Sequence, residues 1–298
     1  MTLGNSIMNL FLGKDFTLEE VYKAIPEKPK TTIRGRIYDN LGIKFKKINR
    51  GIYRAIDKDS ECIVIEGDGR DLSFLKDESI DCIMTDHPWD DKKSNIGGGR
   101  KFTDTYNCFT YTNKDFKEKY RVLKSGCFLI ELIPAENENN YRYLYKLKIM
   151  AEEEGFKYYA KVTWKKGTFV SNTGRKAKNS EELMIFSKGK ARCLRPDIKK
   201  TKATGEEYFM SGTSKMLPTQ FDIQAVPVRR KLHQSEKPVA LWEKVIPYVT
   251  KENEIILDQF AGAGAVGLAA LNTNRDSILI ELEPKNVEII KNRLQEVE

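Results

Sequence analysis

The sequence predicts an α/β chain: an open, largely parallel sheet covered by helices, with a small helix–turn–helix–hairpin module at the amino end. Three observations carry this expectation. From Cys62 onward, short apolar runs suited to buried strands alternate with helical patterns, the rhythm of a parallel sheet. A glycine-rich turn in residues 258–267 stands between a strand and a helix. Residues 1–57 follow a different pattern and read as a separate module, leaving residues 58–298 as the main domain.

Composition narrows the function classes. About 40% of the residues are apolar, enough for a packed core, which excludes wholesale disorder. No apolar run approaches the roughly 18 residues that a membrane helix needs. The apolar patch at residues 7–12 has neither a basic leader nor a small-residue cleavage site, so no secretory signal is expected. Five cysteines, none in a CxxC pair, fit a reducing cytoplasm better than disulfides or zinc, and no metal is expected. The net charge of +8 is unevenly spread: residues 1–56 hold eleven Lys/Arg against five Asp/Glu, and residues 157–202 fourteen against three. Two basic segments beside an acidic remainder suggest a polyanion held at specific surfaces, the alternative being plain solubility.

In the amino-terminal module, Thr17 is placed to cap a helix over residues 18–25, with Glu20 completing a capping box. Pro26 and Pro29 break it. A second helix spans residues 33–41 and ends at Gly42. Residues 43–47 and 51–55 then alternate like two strands around Asn49-Arg50-Gly51, a hairpin signal. The pattern resembles a winged helix, which implies a second helix in the DNA major groove, contacts from Arg34 and Arg36, and a wing on phosphate. The other reading is a packing or dimerisation domain.

The main domain begins with strands over residues 62–65 and 80–84, and continues with a helix over 116–123, a strand over 127–133, a helix over 141–155 and a strand over 158–164. Residues 165–232 lose the rhythm; they are rich in lysine and glycine and read as loops with one clear strand, 183–186. Regularity returns with a helix over 239–248, a strand over 255–258, a helix over 264–270, a strand over 277–281 and a helix over 286–296.

The glycine turn contains Asp258, Phe260, Gly262, Gly264 and Gly267. Its small residues let a ligand approach the backbone, and the following helix offers N–H groups to an anion. Read literally it holds a nicotinamide fingerprint, but only 31 residues follow Gly267, too few to complete a dinucleotide domain. Earlier strands must complete the sheet, which is a circularly permuted order. Glu281 closes the next strand, 17 residues beyond Gly264, where a carboxylate can grip a ribose diol; Glu283 is the reserve, and a solvated helix cap the plain alternative.

The decisive element is Thr85-Asp86-His87-Pro88-Trp89, directly after the strand at 80–84. The chain resembles the β-class of DNA amino-methyltransferases, in which a (D/N/S)PP(Y/F/W) motif precedes the glycine turn. That family's order is catalytic motif, recognition segment, HPxxKP-like motif, glycine turn. Here the four are residues 86–89, residues 165–232, residues 233–238 and residues 258–264. The likeness covers about residues 60–298, and only the ordered set is specific.

The resemblance implies a Rossmann-like class I methyltransferase sheet, mixed and permuted, with S-adenosyl-L-methionine as cofactor and double-stranded DNA as substrate. It implies that Asp68 meets the cofactor's adenine, that Asp258, Phe260, Gly262, Gly264 and Glu281 bind its remainder, and that Ser235 and Lys237 reach its carboxylate. Asp86, His87, Pro88 and Trp89 form the catalytic turn, with Asp86 also facing the cofactor. An exocyclic amine is a poor nucleophile because its lone pair is delocalised into the ring. Two acceptors, the Asp86 carboxylate and the residue 87 carbonyl, localise that pair and aim it at the methyl group. Trp89 stacks on a base that must first be flipped out of the duplex.

His87 departs from the family, which has proline there. Pro88 still holds residue 87 extended, so its carbonyl stays oriented; a proton acceptor and a contact to the extruded base are the other readings of its side chain. Asp86 favours adenine N6 over cytosine N4 by family habit. Arg100 and Lys101, after the glycines of residues 97–99, and Lys165, Arg175, Lys176 and Lys178 in the recognition segment are the expected DNA contacts. Cytosine N4, RNA adenine and a catalytically inactive DNA-binding regulator remain alternatives, and a homodimer or a cognate restriction enzyme stays open.

Overall fold

The structure is a computed structural model that describes residues 3–12, 14–41, 45–55, 60–88, 108–167, 179–195, 197–211, 216–233 and 235–295. The chain divides into two compact units: Met1–Ser60 with Asn272–Asn274, and Glu61–Leu271 with Arg275–Glu298.

The first unit runs α1 (Leu3–Phe11), β1 (Asp15–Thr17), α2 (Leu18–Ala24), α3 (Lys30–Asp39), β2 (Phe45–Asn49) and β3 (Ile52–Ala55). The capping box forms: Glu20 N donates to Thr17 Oγ1 at 3.4 Å while Thr17 N donates to the Glu20 carboxylate at 2.7 Å. Two of the orphan donors at the start of α2 are thereby satisfied. The strands pair antiparallel in the order β1-β3-β2, and Gly51 supplies the positive φ of +74° that the hairpin turn needs. Ile7, Phe16, Ile33, Ile37, Phe45 and Tyr53 make the core. Of residues 7–12, a bare apolar patch in the sequence, residues 7–11 thus belong to a helix that delivers Ile7 to this core, and Leu12 bridges to Ala55. Arg34 and Arg36 are exposed on α3.

The second unit follows as β4 (Cys62–Glu66), β5 (Ile80–Thr85), α4 (Asn113–Val122), β6 (Leu123–Pro134), α5 (Tyr141–Glu153), β7 (Phe156–Lys165) and β8 (Ser180–Lys188). Then come β9 (Asp197–Thr201), β10 (Glu207–Ser211), β11 (Gln220–Asp222), α6 (Val239–Val249), β12 (Ile255–Asp258), α7 (Ala265–Asn272), β13 (Asp276–Glu281) and α8 (Pro284–Gln295). Eight strands form one sheet in the order β11-β7-β8-β6-β5-β12-β13-β4. All its pairings are parallel except those of β8 with β6 and β7, so β8 alone runs against the rest. The sheet is mixed, as expected. Residues 165–232 are more ordered than their composition suggests: β9 and β10 make a separate hairpin and β11 joins the sheet edge.

Helices α4 and α5 cover one face, burying Phe116, Val122, Leu144 and Leu147 against Ile83, Leu129, Leu257 and Ile280. On the other, α6 and α7 bury Leu241, Trp242, Val266 and Ala269 against Cys82, Met84, Ile130 and Ile256. Gly267 explains how close α7 comes. A Cβ there would sit 2.6 Å from Leu279 Cδ1 and 2.9 Å from Cys62 Sγ, so without a glycine at this point the Leu279 and Cys62 side chains of β13 and β4 would have to give way.

Candidate active site

From β5 the chain proceeds to β6 on one side, whereas from β12 it proceeds to β13 on the other. The gap between β5 and β12 is therefore the point where the strand order reverses, and ligands of open α/β sheets bind beyond the carboxyl ends of strands at such a point. A cavity of about 330 Å³ lies there, lined among others by Asp68, Asp86, Pro88, Lys237, Phe260, Gly262 and Glu281. The two turns far apart in sequence, Asp86-His87-Pro88 and residues 258–264, meet because β5 and β12 are hydrogen-bonded neighbours, with Cys82 opposite Ile256.

The glycine turn takes its shape from two left-handed residues, Gly262 (φ +54°) and Gly264 (φ +75°). A Cβ on Gly264 would meet the Ile290 side chain at 3.0 Å. Glu281, buried at the end of β13, ties the turn down: Gly262 N donates to its Oε2 at 2.7 Å and Glu283 N to its Oε1 at 3.0 Å. A second tie has no signal in the sequence. Gln259 Nε2 donates to the Gly69 carbonyl at 2.6 Å, and a Cβ on Gly69 would fall 1.8 Å from the Gln259 carbonyl oxygen. This contact fixes the turn after β4, where exposed Asp68 accepts from Arg70 N at 2.9 Å. Asp258 is buried beneath the glycine turn; burial drives its carboxyl up to about 8, against the pull of the Phe260 N–H.

Asp86 is 19% exposed, and its Oδ2 lies 2.8 Å from Lys237 Nζ. Burial pushes this carboxyl above the usual carboxylate range while Lys237 pulls it back. The motif places Lys237 at the carboxylate of a cofactor; in the structure it pairs with Asp86 and, at 3.5 Å, with Glu181. Ser235 lines the cavity, and its N–H donates to His233 Nδ1 at 3.2 Å. Burial lowers the pKa of His233.

The His87 side chain is turned away from solvent, with no side-chain exposure. Its Nε2 lies 2.7 Å from Tyr143 Oη, its Nδ1 3.4 Å from Glu131, and its ring 4.2 Å from that of Tyr111. The ring is thus held within a buried network at the edge of the cavity that His87 helps to line. Glu131 is itself fully buried and ion-paired with Lys119. Burial alone would raise its pKa, but Lys119 and His87 outweigh that and hold it low. Nothing local announces this network, since Glu131 stands inside the apolar run of β6 and Tyr143 on α5. Trp89, Arg100, Lys101, Arg175, Lys176 and Lys178 lie outside the described residues. Lys165 closes β7 and faces Asp222 of β11 at 3.7 Å.

A mixed Rossmann-like sheet with its cavity at the switch point, entered by an acidic turn and a glycine turn, is the layout of a methyltransferase. Residues 80–292 match the DNA methylase family of N6 and N4 amino-methyltransferases. The chain belongs to that family. Its relatives include the type II methyltransferase M.HpaI of Haemophilus parainfluenzae, 26% identical over 75% of this chain and 70% of that protein. The type II methyltransferase M2.DpnII of Streptococcus pneumoniae is likewise 26% identical, over 75% and 85%. Among solved structures, the M1.HpyAVI–SAM complex aligns with a TM-score of 0.52 at 21% identity, covering 78% of this chain and 99% of that one. The PvuII cytosine-N4-specific DNA methyltransferase aligns at 0.56 and 17%, covering 78% and 86%. At these identities the structural likeness speaks for the fold.

Proposed function

We propose that this chain transfers a methyl group from S-adenosylmethionine to the N6 amino group of an adenine flipped out of duplex DNA. One observation carries the reading: Asp86 and the Gly262–Gly264 turn open into the same cavity from adjacent strand ends.

The residues present suit the cofactor. Gly262 leaves the main chain bare at the cavity wall, and Glu281, held by Gly262 N and Glu283 N, stands at a strand end suited to a diol. When bound, S-adenosylmethionine supplies the electrophilic methyl group. Asp86, kept near the cavity by Lys237, accepts one amino hydrogen of the target base. The carbonyl of residue 87 accepts the other, with Pro88 restricting its orientation. Together they localise the nitrogen lone pair, so rate comes from positioning and electrostatics. Trp89 completes the reading as the stacking face. The first unit, with its α-β-α-α-β-β order, is assigned to a winged-helix-like DNA contact through Arg34 and Arg36 on α3. Replacing both with alanine lowers the slope of log affinity against log salt by about 0.9 for each phosphate that these side chains neutralise; an unchanged slope removes them from the interface.

The reading is tested by incubating the protein with methyl-labelled cofactor and duplex DNA and digesting to nucleosides. Label in N6-methyladenine is the expected result, abolished in Asp86→Ala. Label confined to N4-methylcytosine overturns the adenine assignment, and no label in any nucleoside overturns the enzyme.

A further inference from the structure

The position of Lys237 follows from the reversed strand. Because β8 runs against its neighbours, its first residues lie at the same sheet edge as the carboxyl ends of the parallel strands, and Glu181, opposite Trp164 of β7, lies there. Lys237, just before α6, reaches this edge and places its ammonium 2.8 Å from Asp86 and 3.5 Å from Glu181. Lys166, one residue past β7, makes an ion pair with the other oxygen of Glu181. Asp86, Lys237, Glu181 and Lys166 thus form an alternating line of charges, each between 16% and 27% exposed. In such partial burial, opposite charges a few ångströms apart are weakly screened and move one another's protonation strongly.

We propose that Lys237 is the positioning residue that keeps Asp86 an ionised acceptor turned to the cavity, and that Glu181 sets how much of the Lys237 charge Asp86 receives. The inference rests on the methyltransfer reading for its consequence, though not for its test. An Asp86 that took up a proton would offer the target amine only a neutral, weaker acceptor, so the competition for Lys237 governs the fraction of protein that carries the strong acceptor. Lys166 works in the same direction as Lys237, because it satisfies Glu181 and releases Lys237 toward Asp86. Of the other titratable groups, His87 on its own turn, His233 before α6 and Asp258 at the end of β12 act on Asp86, Glu281 at the end of β13 lines the same cavity, and Lys231 acts on Lys237 and Glu181. Among these, Lys237 is the ammonium in direct contact with Asp86. Burial and the Glu181 carboxylate both act on Asp86 against it.

The experiment reads Asp86 directly, with no need for turnover. Full-length protein labelled with ¹³C at the aspartate carboxyl carbons is titrated by NMR, and the Asp86 signal is assigned from its disappearance in Asp86→Asn. Lys237→Met is expected to move the Asp86 midpoint up by about one pH unit or more. Glu181→Gln is expected to move it down, and Lys237→Arg to leave it near the wild-type value. The opposite signs separate this from general loosening, which would shift both variants alike. Should Lys237→Met fail to fold, Glu181→Gln still decides. A midpoint that Glu181→Gln leaves unmoved or raises, or that Lys237→Met leaves unmoved or lowers, overturns the proposal. Methyl transfer by the wild type, measured separately, tests the catalytic reading.

Discussion

Substituting alanine for Gly69 probes the contact that locks two walls of the cavity together. The added Cβ would lie 1.8 Å from the Gln259 carbonyl oxygen and 2.8 Å from the Phe260 ring, so reaching ordinary contact at 3.4 Å requires the turns after β4 and β12 to part by roughly 1.6 Å. Overpacking of this kind costs about 1–3 kcal/mol, and straining the Gln259–Gly69 hydrogen bond adds about 1 kcal/mol. The sum, about 2–4 kcal/mol, lowers the melting temperature of a domain this size by roughly 5–15 °C. Gly67→Ala is the matched control, since a Cβ there meets nothing within 4 Å; its stability should stay within about 0.5 kcal/mol of wild type. Urea unfolding of the three proteins gives the comparison. Because Asp68 and Phe260 border the gap, Gly69→Ala should also weaken cofactor binding, read by calorimetry. If Gly69→Ala proves as stable as Gly67→Ala, the packing argument for the cavity wall is refuted.

Two further perturbations test the charges beneath the site. Asp258 has a folded-state pKa of about 8, against roughly 3.9 for a free aspartate. The folded protein therefore holds a proton that the unfolded chain lacks, and this group's contribution to stability falls as pH rises from about 4 to about 8. Measured against Asp258→Asn, wild-type stability should drop by a few kcal/mol across that window; parallel pH curves contradict the assignment. Lys119→Met strands the buried Glu131 carboxylate beside His87 and should cost about 3–5 kcal/mol, whereas Lys119→Met with Glu131→Leu should cost markedly less. Equal destabilisation in single and double variants, read by chemical denaturation, would show that the pair is not coupled.

Much of the fold was legible because its signals are local. The capping box at Thr17 and Glu20, the apolar runs of β5 and β12, and the strand–turn–helix around Gly262 each specify structure within a dozen residues. The meeting of Asp86 with the glycine turn was expected from the family resemblance carried by the order of the two motifs; the few residues left after Gly267 indicated only that earlier strands complete the sheet. What escaped depends on partners distant in sequence. β11 is three residues long and exists by pairing with β7, so no periodicity could reveal it. Gly69 matters through Gln259, 190 residues away, and looks like any loop glycine. Glu131 in β6 reads as an interruption of an apolar strand until Lys119, Tyr111 and His87 gather around it. Lys237 sits in a recognisable motif, yet its partner Glu181 is brought to it by the reversal of β8.

The central claim is that one cleft, shared by Asp86 and the glycine turn, transfers methyl groups to adenine in DNA. Methylation mapping of the genome of cells producing this chain tests it most directly, with cells producing Asp86→Ala alongside. N6-methyladenine recurring within one short sequence in the first culture and missing from the second is the result expected here. The same pattern of modified bases in both cultures, or none in either, would contradict it.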